Sequence, residues 1–394
     1  MKLLAITTLA PCAFTAMATR LLVADYGGNV TTLTLSETNG TYSLQKTAAS
    51  QACAPNPSWL TIDAGRGEVY CLNEGLYTVN GSLSSLLINE DGSLKAVQNT
   101  TTPSGPVSGI IYGTPSSQQG IVLAHYSGSA VSSWLLDGKG NFSKNQELFY
   151  TLEQPGPDPE RQDAPHNHEA ITDPTGKYIL VPDLGADLVR VYKYDQDTLE
   201  LKALESLKAE AGSGPRHAAF YTPSSVSGAT TYFYLVAELA ATVTAYKVTY
   251  TSSGLTFTHL QTSPTIPLFN TARRVAPAGI AVSPDNRFLI ISNRNDTSFT
   301  LPTLGKSDSL STFSLDPQSG NLTLHQLWPA GGNYPRHFEL NAVGDLVAVG
   351  LQNDQAVTVL KRDVGTGLVG EPVARWQTSG NVTFAGWYEG VGGR

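Results

Sequence analysis

Residues 163–187 read DAPHNHEAITDPTGKYILVPDLGAD, the clearest copy of a unit that recurs along the chain. It opens as a strand in polar residues at Pro165, turns through Asp173 to Lys177, and continues as a short apolar run from Tyr178 to Pro182. A third, alternating strand follows from Leu188 to Tyr194, the period of two expected of a sheet with distinct faces. Asp-Pro-Thr-Gly between the first two strands supplies turn chemistry, because the aspartate caps its own backbone and glycine admits the left-handed region. Most other segments of the chain are degraded copies of this unit, and few of them share its pair of histidines, His166 and His168.

Alignment on the apolar strand gives seven related segments: Leu21 to Tyr26, Glu68 to Asn73, Gly120 to Tyr126, Tyr178 to Asp183, Tyr232 to Glu238, Phe288 to Arg294 and Leu346 to Gln352. Each is a short apolar run ending in a polar residue. Alternating runs follow most of them, and turn signals such as Asp91-Gly92, Asp137-Gly138 and Ser319-Gly320 close the unit. Helical periodicity is nearly absent, with Thr198 to Ala211 the one ambiguous segment.

A proline column precedes the apolar runs, at Pro57, Pro106, Pro165, Pro215, Pro277 and Pro335. The first position of a strand tolerates a residue that cannot donate to the ladder. A seventh proline is missing, and Asn381 to Trp387 precedes no apolar run. The economical solution pairs that segment beside Leu21, so that one blade is made from both ends of the chain. The expected fold is all-β: a seven-bladed propeller of four-stranded antiparallel blades, a single domain over residues 19–394 closed by its terminal strands. Residues Gln154 to Asp163 then form a loop over one face.

The first 18 residues read as an address. Lys2 precedes an apolar run from Leu3 to Leu9 and small residues ending Ala16-Met17-Ala18, the pattern of a cleavable signal peptide. Of the 3 cysteines, Cys12 leaves with that leader, while Cys53 and Cys71 are spaced to bridge neighbouring strands in an oxidising compartment. Glycosylation sequons stand at Asn29, Asn39, Asn80, Asn99, Asn141, Asn295, Asn321 and Asn381, of which about half are expected to be used. A secreted, monomeric glycoprotein is the expectation. A net charge of −8 without a basic stripe argues against a nucleic-acid partner, and the absence of a long apolar run argues against a membrane partner.

In a propeller, equivalent strand ends from different blades converge at one mouth, so two columns of residues are comparable. After the proline stand Ser58, Val107, His166, Arg216, Ala278 and Arg336; at the end of the apolar strand stand Asp25, Glu74, His125, Asp183, Glu238, Arg294 and Gln352. Ionisable groups concentrate in blades four to seven, as His166, His168, Asp183, Arg216, His217, Glu238, Arg294, Arg336 and His337. Charges on otherwise apolar strands are costly unless paired or solvated, and a shared polar mouth accounts for the clustering. Each has a structural alternative. Asp183 and Asp187 flank Gly185 and suit turn stabilisation, Arg336 suits a tie between blades, and Glu238 needs a partner such as Arg216 or Arg294. No spacing suits a zinc or calcium site, and there is no phosphate-cradling loop or nucleophile elbow.

The motifs Pro165-His166-Asn167-His168, Asp173 to Tyr178, Val181 to Asp187, Gly214-Pro215-Arg216-His217, Ala237-Glu238-Leu239 and Ser292-Asn293-Arg294 together resemble the seven-bladed lactonase family. That family includes bacterial-type 6-phosphogluconolactonases and fungal 3-carboxy-cis,cis-muconate lactonising enzymes. The resemblance implies an active site made of a histidine of the Pro-His-Asn-His motif with Arg216, Glu238 and Arg294, and no metal or cofactor. His166 or His168 would activate water with Glu238 orienting the imidazole, the arginines would stabilise an oxyanion, and Asp183, His217 and Arg336 would bind substrate. The same residues suit cyclisation of a muconate. Because the chain carries a leader and sequons, hydrolysis of a sugar-derived aldonolactone is the leading expectation, a muconate cyclase-like isomerase the second, and a non-catalytic propeller binding carbohydrate or protein the third.

Overall fold

The period-two pattern is satisfied by seven antiparallel sheets arranged in a ring in the computed structural model, which describes residues 19–226, 228, 230–267 and 275–389. The expected leader lies outside the described residues. From blade one to blade seven the innermost strands are Val382–Tyr388, Pro57–Asp63, Pro106–Gly113, Ile171–Thr172, Pro215–Tyr221, Ala276–Val282 and Pro335–Leu340. The apolar runs are the second strands: Thr19–Asp25, Glu68–Asn73, Gln119–His125, Tyr178–Asp183, Thr231–Ala237, Phe288–Arg294 and Leu346–Leu351.

These second strands read as nearly continuous apolar runs because each is covered on both faces. Leu21 and Val23 pack toward blade seven, whereas Leu22 and Ala24 pack toward blade two. Ile179 and Val181 likewise face blade three while Tyr178 and Leu180 face blade five. The apolar core is accordingly divided into seven clusters, one between each pair of adjacent blades. Each Leu or Val buried there contributes roughly 1.5–3 kcal/mol, so the blade interfaces hold the ring together.

The ring closes as expected. Val382–Tyr388 pairs antiparallel with Thr19–Asp25, with Leu21 opposite Trp387 and Val23 opposite Ala385. The ambiguous segment forms two short strands, Leu201–Ala203 and Leu207–Lys208, which both pair with Leu188–Tyr194. The turn at Asp173 is built as the sequence implied, its carboxylate accepting the N–H groups of Thr175, Lys177 and Tyr178. The disulfide Cys53–Cys71 is present, though Cys53 sits in the loop ahead of blade two rather than on a strand.

One feature of the inner strands positions the site. Their register skips a residue near the start, leaving Ser58, Val107, Arg216, Arg336 and Thr383 without a cross-strand partner. A bulge of this kind re-aims its side chain, and here it turns the residue toward the central channel. Hydrogen bonds from Thr383 to the Pro57 carbonyl and from Ser58 to the Pro106 carbonyl, 2.7 and 2.6 Å long, link successive blades at this level.

Candidate active site

Blade four departs from the expected strand. Its inner segment begins as a single bridge between Asn167 and Asp183 and becomes regular only at Ile171–Thr172. Backbone bonds fix the register: Leu184 donates to the His166 carbonyl just as Glu238 donates to Gly214, Gln352 to Tyr334 and Tyr126 to Gly105. His166 therefore occupies the place ahead of the proline, Asn167 replaces the proline, and His168 is the equivalent of Arg216. The proline at Pro165 misaligned this copy by two residues. His166 does not stand in the channel column; His168 does.

The second column also divides in two. Asp25, Asn73, His125, Ala237 and Asn293 point into the blades, and the next residue in each of these copies, Tyr26, Glu74, Tyr126, Glu238 and Arg294, faces the mouth; in blade four Asp183 is likewise internal and is followed by buried Leu184. Asp183 illustrates the inward set. It is fully buried, accepts the N–H groups of His166 and Ala186 at 2.7 and 3.0 Å, and pairs with Arg190 at 2.6 Å. Its carboxylate is committed to the blade, which is the turn-stabilising alternative rather than substrate binding.

Glu238 is the centre of the mouth. Arg161 donates to its Oε1 at 2.7 Å, while Arg216 Nε and Arg294 Nη2 stand 2.9 and 2.7 Å from its Oε2. The last two are close ion contacts whose angles fall short of a hydrogen bond, so Arg216 Nε and Nη1 and Arg294 Nη2 retain unspent donors although they are buried. Burial alone would raise the Glu238 pKa, but Arg294, Arg216 and Arg161 outweigh it and hold the carboxyl well below its usual range. Burial, reinforced by Arg294 and opposed by Glu238, brings Arg216 down to about 9, which leaves it charged at neutral pH. Three guanidiniums against one carboxylate make the centre an anion-stabilising site.

Arg161 was not singled out from the sequence. It arrives on the loop from Gln154 to Asp163, which is anchored by buried Gln162 donating to the Leu184 carbonyl at 2.9 Å. Across the mouth a second cluster joins Tyr26, whose hydroxyl donates to Glu74, with Arg336, whose Nη2 lies 3.6 Å from the same Glu74 oxygen. Arg336 thus ties blades through a carboxylate. Tyr26 and Tyr126 escaped the sequence comparison because the columns had been mixed; shifting each copy to the residue beyond the strand would have found them.

Beneath the mouth lies a pit of about 10 Å³, roughly the smallest space that admits one water, lined by His168, Arg216, His217, Arg336, His337 and their neighbours. His168 Nδ1 and His217 Nε2 are buried there without a protein partner. Burial, then the positive charges of Arg216, Arg336 and Arg294, keep the His168 imidazole neutral far below its ordinary pKa. His217 is held neutral by burial, Arg216 and its histidine neighbours. His337 is pushed down to about 3, chiefly by burial, and its ring stacks on Phe384 at 4.2 Å. His166, by contrast, donates Nδ1–H to the Tyr126 carbonyl at 2.9 Å, has Nε2 3.0 Å from Asp163 and stacks on Tyr126 at 4.2 Å, so it braces the mouth rather than facing it. The expected support of a histidine by Glu238 is replaced by arginine contacts. Among the described residues no group of three or more His, Cys, Asp or Glu side chains is arranged to hold a metal ion.

A family model described as "Lactonase, 7-bladed beta-propeller" matches residues 15–385. The chain belongs to that lactonase family. This lactonase is 30% identical over 350 residues to "Probable 6-phosphogluconolactonase" of Arthroderma benhamiae, covering 88% of this chain and 84% of that one. It is 26% identical over 320 residues to "6-phosphogluconolactonase" of Formosa agariphila, covering 79% and 83% of the two chains. Its fold superposes on a periplasmic gluconolactonase of Pseudomonas aeruginosa with a TM-score of 0.78 and 24% identity, covering 94% of this chain and 99% of that one.

Proposed function

We propose that this lactonase hydrolyses a sugar-derived aldonolactone outside the cell, and that the observation carrying this reading is Glu238 held among Arg161, Arg216 and Arg294 beside neutral His168. His168 Nδ1 takes a proton from water as the water oxygen bonds to the lactone carbonyl carbon. The oxyanion that forms meets the unspent donors of Arg216 and Arg294, whose own orientation is fixed by Glu238. Collapse of this intermediate breaks the ring C–O bond, and the arginines then face the product carboxylate. Glu238 keeps three cations together rather than acting as a base, since it holds no affinity for a proton near neutral pH.

The relatives named 6-phosphogluconolactonase support lactone opening. The leader sequence, the disulfide and six exposed sequon asparagines, Asn39, Asn80, Asn99, Asn141, Asn295 and Asn321, favour a secreted enzyme and an unphosphorylated substrate. Asn29 and Asn381 are half-buried and less accessible to a glycosyltransferase. A pH-stat comparison of glucono-δ-lactone, cellobionolactone and 6-phosphogluconolactone, with spontaneous opening subtracted, tests the reading. Glu238→Gln is expected to lower kcat/KM at least about a hundredfold. Turnover unchanged in that variant would remove the arginine centre from the mechanism. Turnover of a carboxymuconate alone would favour the isomerase, and none of any substrate would favour a binding propeller.

A further inference from the structure

We propose that Glu169 and His217 form a second proton-handling pair, which supplies the proton needed by the departing ring oxygen when the lactone opens. The inference rests on the hydrolytic reading, in which His168 removes a proton from water but no group returns one to the leaving alkoxide. The nearest candidates are unsuited. Glu238 carries no proton, and Arg161, Arg216 and Arg294 are cations that serve by staying charged.

Glu169 follows His168 on the inner segment of blade four, and the residue at its register position in blade five is His217. Its Oε2 accepts the Ala218 N–H at 2.6 Å, which fixes the carboxyl, and its Oε1 lies 3.5 Å from His217 Nδ1. His217 Nε2, at the far side of the same ring, is buried in the pit without a protein partner. The ring stands edge-on to His168 with centroids 5.1 Å apart and also meets Trp59 edge-on at 5.9 Å. A proton entering at Nδ1 and leaving at Nε2 therefore passes from the side of Glu169 to the side of the pit.

The charges around the pair suit this direction. Arg216 adjoins His217 on its own strand, His168 faces it from blade four, Arg294 from blade six, and His337 and Arg336 from blade seven. Burial, together with these positive and neutral groups, keeps His217 from storing a proton. Burial meanwhile lifts Glu169 to about 8, against the pull of the Ala218 amide and Arg216, so it is protonated at neutral pH. As the ring C–O bond breaks, its electron pair stays on the ring oxygen; His217 Nε2–H passes a proton to that oxygen through water in the pit, and Nδ1 takes the Glu169 proton. The proton held by His168 then returns through water in the pit to His217 Nε2 while Nδ1 gives its proton back to Glu169, which restores both partners, so one water is consumed for each lactone opened. Glu169 acts through His217 and is a relay residue.

The test is the pH dependence of kcat on glucono-δ-lactone between about pH 6 and 9, background subtracted, for the native protein, Glu169→Gln, His217→Gln and the double variant. Native kcat is expected to fall as pH rises past about 8, when Glu169 loses its proton. Glu169→Gln keeps an acceptor for Ala218 but has no proton to give; it should lose roughly tenfold or more in kcat, keep KM within about twofold, and lack the alkaline limb. His217→Gln should match it, and the double variant should be no slower than either single change, because both break one path. An alkaline limb that survives in Glu169→Gln, or a double loss equal to the product of the single losses, overturns the relay while leaving hydrolysis intact. Native protein without turnover at any pH overturns both.

Discussion

The two histidines of the Pro-His-Asn-His motif are two residues apart yet have opposite fates. His166 is committed at both ring nitrogens and stacked on Tyr126, whereas His168 presents an unpartnered Nδ1 in the pit. His168→Ala is therefore expected to lower kcat by roughly 10²–10⁴ with the melting temperature little changed, while His166→Ala keeps turnover within about tenfold. Steady-state kinetics on the paired variants separates them. Because burial and the arginines hold His168 neutral well below its ordinary pKa, the base remains active on acidification, and no loss of kcat/KM is expected near pH 6.5. An acid limb centred there would assign the base elsewhere. The sequence made this pair conspicuous but left the choice open, since only the hydrogen bonds of the folded blade decide which imidazole is occupied.

At the scale of elements, the bulged inner strand and the long loop build the site. The bulge sends Arg216, Arg336 and, by equivalent register, His168 into the channel, and the loop brings Arg161 over Glu238. Arg161 is about one-third exposed, so its ion pair is screened, and the loop's own anchor is Gln162. Arg161→Ala should then raise KM several-fold and cost less than about 1 kcal/mol in urea unfolding, unlike Glu238→Gln. Glu238→Gln leaves buried Arg216 and Arg294 without their counter-charge and should cost roughly 3–5 kcal/mol in the same measurement. The apolar periodicity, the turns and the proline column were legible because they are local. The bulges were not, because a register skip depends on what the partner strand offers.

For the whole molecule, the inner strands carry two carboxyls that the ring desolvates. Burial lifts both Glu169 and Glu339 to about 8, with Glu389 adding to the effect at Glu339. A carboxyl whose folded pKa is raised stabilises the fold fully below its unfolded pKa, and that contribution is lost as pH rises through about 8. Below about pH 7 the buried neutral histidines oppose this trend, because the unfolded chain takes up protons that they refuse in the fold. Thermal unfolding should accordingly move down by a few degrees between about pH 7 and 9, with part of the decline removed in Glu339→Gln. A flat or rising profile over that window would mean that these groups are hydrated. Ring closure places this cost on one cooperative unit, since Val382–Tyr388 and Thr19–Asp25 join the chain ends in blade one.

The repeat, the number of blades, the closure by the chain ends and the cluster of ionisable residues in blades four to seven are readable along the chain, because strand period, turn chemistry and proline position act over a few residues. It takes the folded ring to send His168 and not His166 into the channel, to keep Asp183 internal, and to bring Tyr26, Tyr126 and Arg161 to the mouth. Those assignments depend on register and on charges brought together from separate blades, and neither is encoded at any single position.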